Sequence, residues 1–153
     1  MPDVLGATPP LPRPFYETPW PASLRPHAAA LWDWHLALDR LDATEMPRAD
    51  AAFFEAEAER AAGASPLTLV PGDVSAAAYA ACRAQGLPFE LLAQQVRAAH
   101  AFTAPLRFET ASDARAFLAA WAVPHARLLA RLAGAAGSWQ LPLVDELCSG
   151  FFW

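Results

Sequence analysis

From Ser23 onward the apolar residues of this chain recur every three or four positions, and the runs they form are punctuated by glycine and proline. That periodicity admits amphipathic helices and leaves no room for the strict alternation of half-buried strands. Leu24, Leu31, Trp34, Leu38 and Leu41 fall on one helical face, with Ser23 placed to cap the helix and Pro26 tolerable in its first turn. A second run, about 48–62, stops at Gly63; a third, capped by Asp73 or Ser75, stops at Gly86. Pro88 opens a fourth, "PFELLAQQVRAAHAF". Ser112 is placed to cap a long fifth, expected to bend at Pro124 and to end near Gly134. Pro142 opens a sixth, "PLVDELCSGFFW". The expected class is an all-α helical bundle.

The chain has 153 residues, enough for one domain with a real core, and at 55% hydrophobic and 18% charged it is globular in composition. Its net charge is −5 and its basic residues are scattered arginines with no basic run, which argues against a nucleic-acid surface. Lys, Asn and Ile are missing altogether. All three have AT-rich codons, so the absence of lysine reflects codon usage. Cys82 and Cys148 have no metal-type spacing, and a reducing cytoplasm is the default location, with membrane association left open. The start, "MPDVLGATPPLPRP", lacks the pattern of a signal peptide. The longest apolar stretch, "AFLAAWAVPHARLLARLAG", is interrupted by Pro124, His125, Arg127 and Arg131, too broken for a transmembrane span. Residues 1–22 read as a proline-rich, extended lead-in and 23–153 as the helical domain. Because the sixth run finishes on Phe151, Phe152 and Trp153, the domain is expected to be the first part of a larger one. Its apolar surface would be covered by self-association, a partner chain or further sequence.

The first helix, "HAAALWDWHLALDRLDATE", carries several acids. Asp42 falls in the apolar sector, Glu45 joins it if the helix continues, and His35 and Asp39 lie one turn apart on its border. Two readings are open. The helix can end near Asp42, its acids emerging into solvent. Alternatively the acids line a cavity between helices and hold divalent cations, since Mg²⁺ prefers oxygen ligands shared with substrate phosphates.

"LRPHAAALWDWHLALDRLDA" (24–43) resembles the helix bearing the first aspartate-rich motif of squalene/phytoene synthases, and its "LRPH" start is most like the hydroxysqualene synthase branch. "GLPFELLAQQVRAAH" resembles that family's Gly-Leu-Pro helix. "LRFETASDARAFLAAWAVPHARLLARLAG" resembles its Arg-Tyr-x-Thr segment and the Ala-x-Pro-Val-Gly-Arg-Leu that follows. "VDELCSGFFW" resembles the start of Ser-Asp-x-x-Cys-x-Ala-Leu-Gln-Leu. The segments fall in the family's order and span nearly everything after residue 14. The resemblance implies a terpenoid-synthase helical fold and chemistry on prenyl diphosphates in a central cavity. In that family two aspartate-rich helices hold Mg²⁺ against the diphosphate, favouring its departure.

Carried over position by position, Asp39 falls on the first Asp of Asp-Asp-x-x-Asp, while Arg40 and Ala43 take the second and third acidic positions; Asp42 stands one residue early. Leu36 takes the Arg of the preceding Phe-Ala-Arg. Phe102 lies near an expected acid, Phe152 takes the Gln of Ala-Leu-Gln, and the second aspartate-rich motif would lie beyond Trp153. The metal candidates are therefore Asp39 and Asp42, with Mg²⁺ as the cofactor of an active form. The candidates for contact with an isoprenoid are His35, Trp32 and Trp34; Trp121 and Trp139 were equally open to a role in core or cavity. His27, His100 and His125 have no ligand-type spacing and read as capped or partly buried imidazoles. The function expected is that of a squalene/phytoene synthase-like protein of isoprenoid metabolism, catalytically impaired as the chain stands. The alternative is a non-catalytic helical module for an isoprenoid or a partner protein.

Overall fold

The computed structural model describes residues 19–42, 51–63, 74–101, 108–135 and 142–146, and among these every regular element is an α-helix. Five helices follow in order: α1 (Arg25–Asp42), α2 (Ala51–Ala61), α3 (Val74–Gln85), α4 (Phe89–Ala101) and α5 (Ala111–Leu132). A short helical stretch occupies 142–146. The all-α expectation holds for these residues. The end of the sixth run, 147–153, and the connector after Gly63 lie outside them.

Helix α4 is the centre of the arrangement. Leu91, Leu92, Ala93, Gln95, Val96, Ala98 and Ala99 are all buried, so its buried surface extends well beyond a single stripe. It packs on α2 and α5 and also touches α1, while α1 lies mainly on α3. The core between them takes Leu31, Trp34 and Leu38 from α1, Phe54 and Ala61 from α2, Ala78 and Cys82 from α3, and Trp121, Leu128 and Leu132 from α5. Alanines at 28, 78, 98 and 99 in this core keep the side chains between helices short.

The helix ends follow from local chemistry. Gly63, Gly86 and Gly134 have φ of 75°, 64° and 92°, the left-handed conformation that stops a helix. After α5 the Gly134 N–H donates to the Arg131 carbonyl and the Ala135 N–H to that of Ala130, a complete Schellman closure. At the start of α5 the structure corrects the expected cap. Thr110, not Ser112, is the N-cap: its hydroxyl accepts from the Asp113 N–H at 3.1 Å while the Asp113 carboxylate accepts from the Thr110 N–H at 2.9 Å. The acid three residues on makes Thr110 one half of a reciprocal box. Ser23 is also not the cap of α1; it sits in a turn, and the Leu24 carbonyl accepts the first helical bond from Ala28. Ser75 lies inside α3, where its hydroxyl accepts from Arg60, and Asp73 lies outside the described residues.

The lead-in is packed where it is described. Trp20 rests against the core and its carbonyl accepts a hydrogen bond from Arg25 Nε at 2.9 Å. Helix α5 continues through Pro124, which lacks the N–H that would bond to the carbonyl of Ala120. Replacing Thr110 by Ala should lower stability by about 1 kcal/mol, and Leu128→Ala, at a fully buried position, by about 2–5 kcal/mol. Urea unfolding followed by circular dichroism measures both, and equal small losses would contradict the burial at Leu128.

Candidate functional site

The side chains with the richest chemistry meet where α1 and α5 face one another. His35 and Trp32, three residues apart on α1, project from the border of its apolar stripe. Trp121 and His125, four apart on α5, meet them from the other side. The His35 and His125 rings stack at 4.2 Å between centroids with 16° between planes. Trp32 meets His125 edge-on at 4.8 Å and His35 at 6.1 Å, and Trp121 lies 5.2 Å from His35. The rings continue outward: Phe117 stacks on Trp121 at 6.4 Å, and Phe108, which is 40% exposed, tilts against Phe117 at 5.5 Å. An aromatic track thus runs from solvent to a buried imidazole.

His125 is the polar anchor of that track. It is 5% exposed, and neither ring nitrogen has a hydrogen-bond partner among the described residues. Burial, reinforced by the neighbouring His35, holds its pKa well below the usual imidazole range. At neutral pH it is therefore an uncharged ring with one N–H donor and one lone pair, surrounded by π faces. Parallel stacking matters chemically: the lone pairs of two stacked imidazoles lie in parallel planes and do not converge on one ion. The pair suits contact with an apolar or weakly polar group better than chelation.

Of the three residues expected to touch an isoprenoid, the structure brings His35 and Trp32 into this cluster. It places Trp34 in the core beside Leu31 and Leu38, 3% exposed. The two tryptophans are separated by about 200° around the helix, which is why neighbours in sequence serve different surroundings. Asp39 and Asp42 are on the last turns of α1, and their side chains lie outside the described residues. Among the described residues no group of three or more His, Cys, Asp or Glu side chains is gathered as for a metal ion. Mg²⁺ binding thus rests on the sequence alone.

His125 was not among the expected site residues. Its only sequence signal was its place four residues after Trp121 on a helix otherwise apolar there. A second long-range contact ties the short stretch 142–146 to α5: Arg127 grips Asp145 with two hydrogen bonds, one of them Nε to Oδ1 at 2.7 Å. That hydrogen bond raises the Arg127 pKa.

Elsewhere polar side chains bridge the helices, although the fully buried Gln95 amide on α4 has no hydrogen-bond partner among the described residues. The buried Glu57 pairs with Arg60 at 2.9 Å, and Arg60 donates to Ser75, joining α2 to α3. An open groove of about 370 Å³ between α4 and α5 is lined by Gln94, Arg97, Ala98, Ala101 and Ala120, without an imidazole or a carboxylate. No helix of the described residues is long and apolar enough to cross a membrane. Compared with protein-family models, with curated proteins and with solved structures, the chain gives no match.

Cys82 is fully buried in α3, and burial pushes its thiol up to about 12 from 9.0. Three pKa units leave about a thousandfold less thiolate than in an ordinary cysteine. In a Cys148→Ser background, iodoacetamide at pH 8 should label the native protein at least about a hundredfold more slowly than the urea-unfolded chain. Rapid labelling under native conditions would show that α3 opens far more readily than its burial implies.

Proposed function

We propose that the chain is a squalene/phytoene synthase-like helical protein that holds an isoprenoid against the aromatic and imidazole rings between α1 and α5. One observation carries the reading. Two segments of the resemblance, 24–43 and 106–134, contain helices α1 and α5, which touch through Trp32, His35, Trp121 and His125, and these rings join Phe117 in one apolar track. An unsaturated hydrocarbon chain is complementary to such a surface, because ring faces and edges offer large contact area with little side-chain entropy to lose.

The chemistry at this site favours binding over turnover. In the family register Leu36 replaces an Arg, and Arg40 and Ala43 stand at two acidic positions, so Asp39 is the motif acid left in place. A Mg²⁺–diphosphate complex needs several oxygen ligands and compensating cations. If the ion binds, Asp39 and Asp42 are the residues that would hold it, and it would supply charge neutralisation for a departing diphosphate. A non-catalytic isoprenoid-binding module is the second reading; in the family register His35 would take the Ala of Phe-Ala-Arg and His125 the Val of Ala-x-Pro-Val-Gly-Arg-Leu, and this paired replacement favours it. His125, uncharged at neutral pH and stacked on His35, adds a polar contact to the track and no charge for phosphate.

Tryptophan emission reports on the site directly, since Trp32 and Trp121 border it. Titration with farnesyl diphosphate and with farnesol, each with Mg²⁺ and with EDTA, should give saturable quenching, weakened about tenfold by Trp121→Ala. For the non-catalytic reading the alcohol binds as well as the diphosphate and EDTA has no effect. Tight binding of the diphosphate that needs Mg²⁺ and is lost in Asp39→Ala restores the enzymatic reading. No saturation by either compound below about 1 mM, where binding is worth only about 4 kcal/mol, removes both.

A further inference from the structure

Helix α5 is held mainly by α4 and rests only lightly on α1. The His35–His125 stack, with Trp32 against it, is therefore a substantial share of what joins α1 to α5. Immediately before His125 stands Pro124, buried and inside the helix, where the chain lacks one helical hydrogen bond. The contact that joins the two helices thus coincides with the point at which α5 bends most easily. We infer that the His35–His125 stack is a proton-operated latch: uptake of a proton by the pair releases α1 from the second half of α5, while the packing of α4 on α2 and α5 persists.

The sign follows from solvation. With the latch closed, a charge on His125 would be buried and set against His35, which is why its pKa lies well below the ordinary 6.5. With the latch open the ring meets water and regains the ordinary value. The open form therefore binds more protons, so the closed form is favoured above the ordinary imidazole pKa and loses ground as pH falls beneath it. For one proton, each further pH unit moves the open-to-closed ratio by about tenfold until the closed-form pKa is reached.

Among the described residues, few charged groups lie on the helices around the pair. From α4, Glu90, Arg97 and His100 are exposed, and Glu90 and Arg97 pair with each other. On α5 itself, Asp113 is engaged in the cap, Arg115 lies exposed near the helix start, and Arg127 is held by Asp145. Arg131 lies six residues beyond His125, near the end of the helix. On α1, Arg25 is exposed, while His27 and Asp33 are half-buried. Asp39 stands one turn beyond His35, its side chain outside the described residues, so the test includes it.

The experiment follows the full chain from pH 8 to pH 5 by tryptophan emission, far-ultraviolet circular dichroism and amide hydrogen exchange. The latch predicts that emission changes and exchange protection falls in α1 and in 124–132, while helical dichroism and protection in α4 hold. His125→Phe keeps an aromatic ring and cannot titrate, so it should abolish the transition. If that variant does not fold, His35→Phe removes one cause of the depressed closed-form pKa, so the transition should shrink or move toward lower pH, with the helices intact. Emission and dichroism falling together in one transition would overturn the latch in favour of general acid unfolding. A transition surviving both histidine replacements and vanishing in Asp39→Asn would assign the proton to that carboxylate and also overturn it. The outcome is independent of isoprenoid binding, since no ligand is present.

Discussion

The burial of α4 on several sides is the constraint from which the other placements follow. Leu91, Leu92 and Val96 must leave water together with Ala93, Ala98 and Ala99, and one neighbouring helix cannot cover them all. Helices α1, α2 and α5 share the task. Because so many of the buried positions are alanine, the covering helices need little interdigitation with α4. Two helices drawn to adjacent sides of a third are brought near each other, and α1 and α5 meet for that reason. Their contact is made by the side chains at the borders of their core-facing stripes, which is where Trp32, His35, Trp121 and His125 stand.

Those border positions explain the character of the site. A residue in the middle of a core stripe is under pressure to be aliphatic; one on the edge can be amphipathic, with an apolar body and a polar atom. Imidazole and indole are of that type. Among the described residues charged groups are paired away from this contact, in the Glu57–Arg60–Ser75 bridge, where Glu57 is buried against Arg60, and in the Arg127–Asp145 clasp. The α1–α5 contact has no such clasp among the described residues. Its polar component is the stacked pair, and ring stacking contributes modestly, on the order of 1 kcal/mol. A modest, desolvated contact with titratable rings is sensitive to the state of those rings, whatever occupies the track beside them.

The helices were legible because each depends on signals within a few residues: the stripe of Leu31, Trp34 and Leu38, and glycines whose positive φ closes α2, α3 and α5. The caps were less legible. Both Thr110 and Ser112 have a hydroxyl at a plausible start, and the choice turns on Asp113, which stands three residues after Thr110 and can return its hydrogen bond. Ser75 looked like a cap and is instead an acceptor for Arg60, a partner fifteen residues away that local pattern does not contain. Trp20 shows the same limit: a proline-rich stretch reads as a lead-in, but one large apolar ring is enough to draw its end onto the core.

By itself the sequence determined the all-α class and the division of α1 into a core face and a border that includes His35. It also determined the positions of the glycine stops, because helix periodicity and left-handed φ are properties of short segments. Only the tertiary structure decided that Trp32 and Trp121 meet the imidazoles, that His125 rather than a nearer residue is the partner of His35, and that Arg127 meets Asp145. The reason is the same in each case. A stripe on one helix specifies that a surface must be covered, but not which helix covers it. Two imidazoles ninety residues apart in sequence come into contact only once α4 has brought α1 and α5 to its adjoining sides.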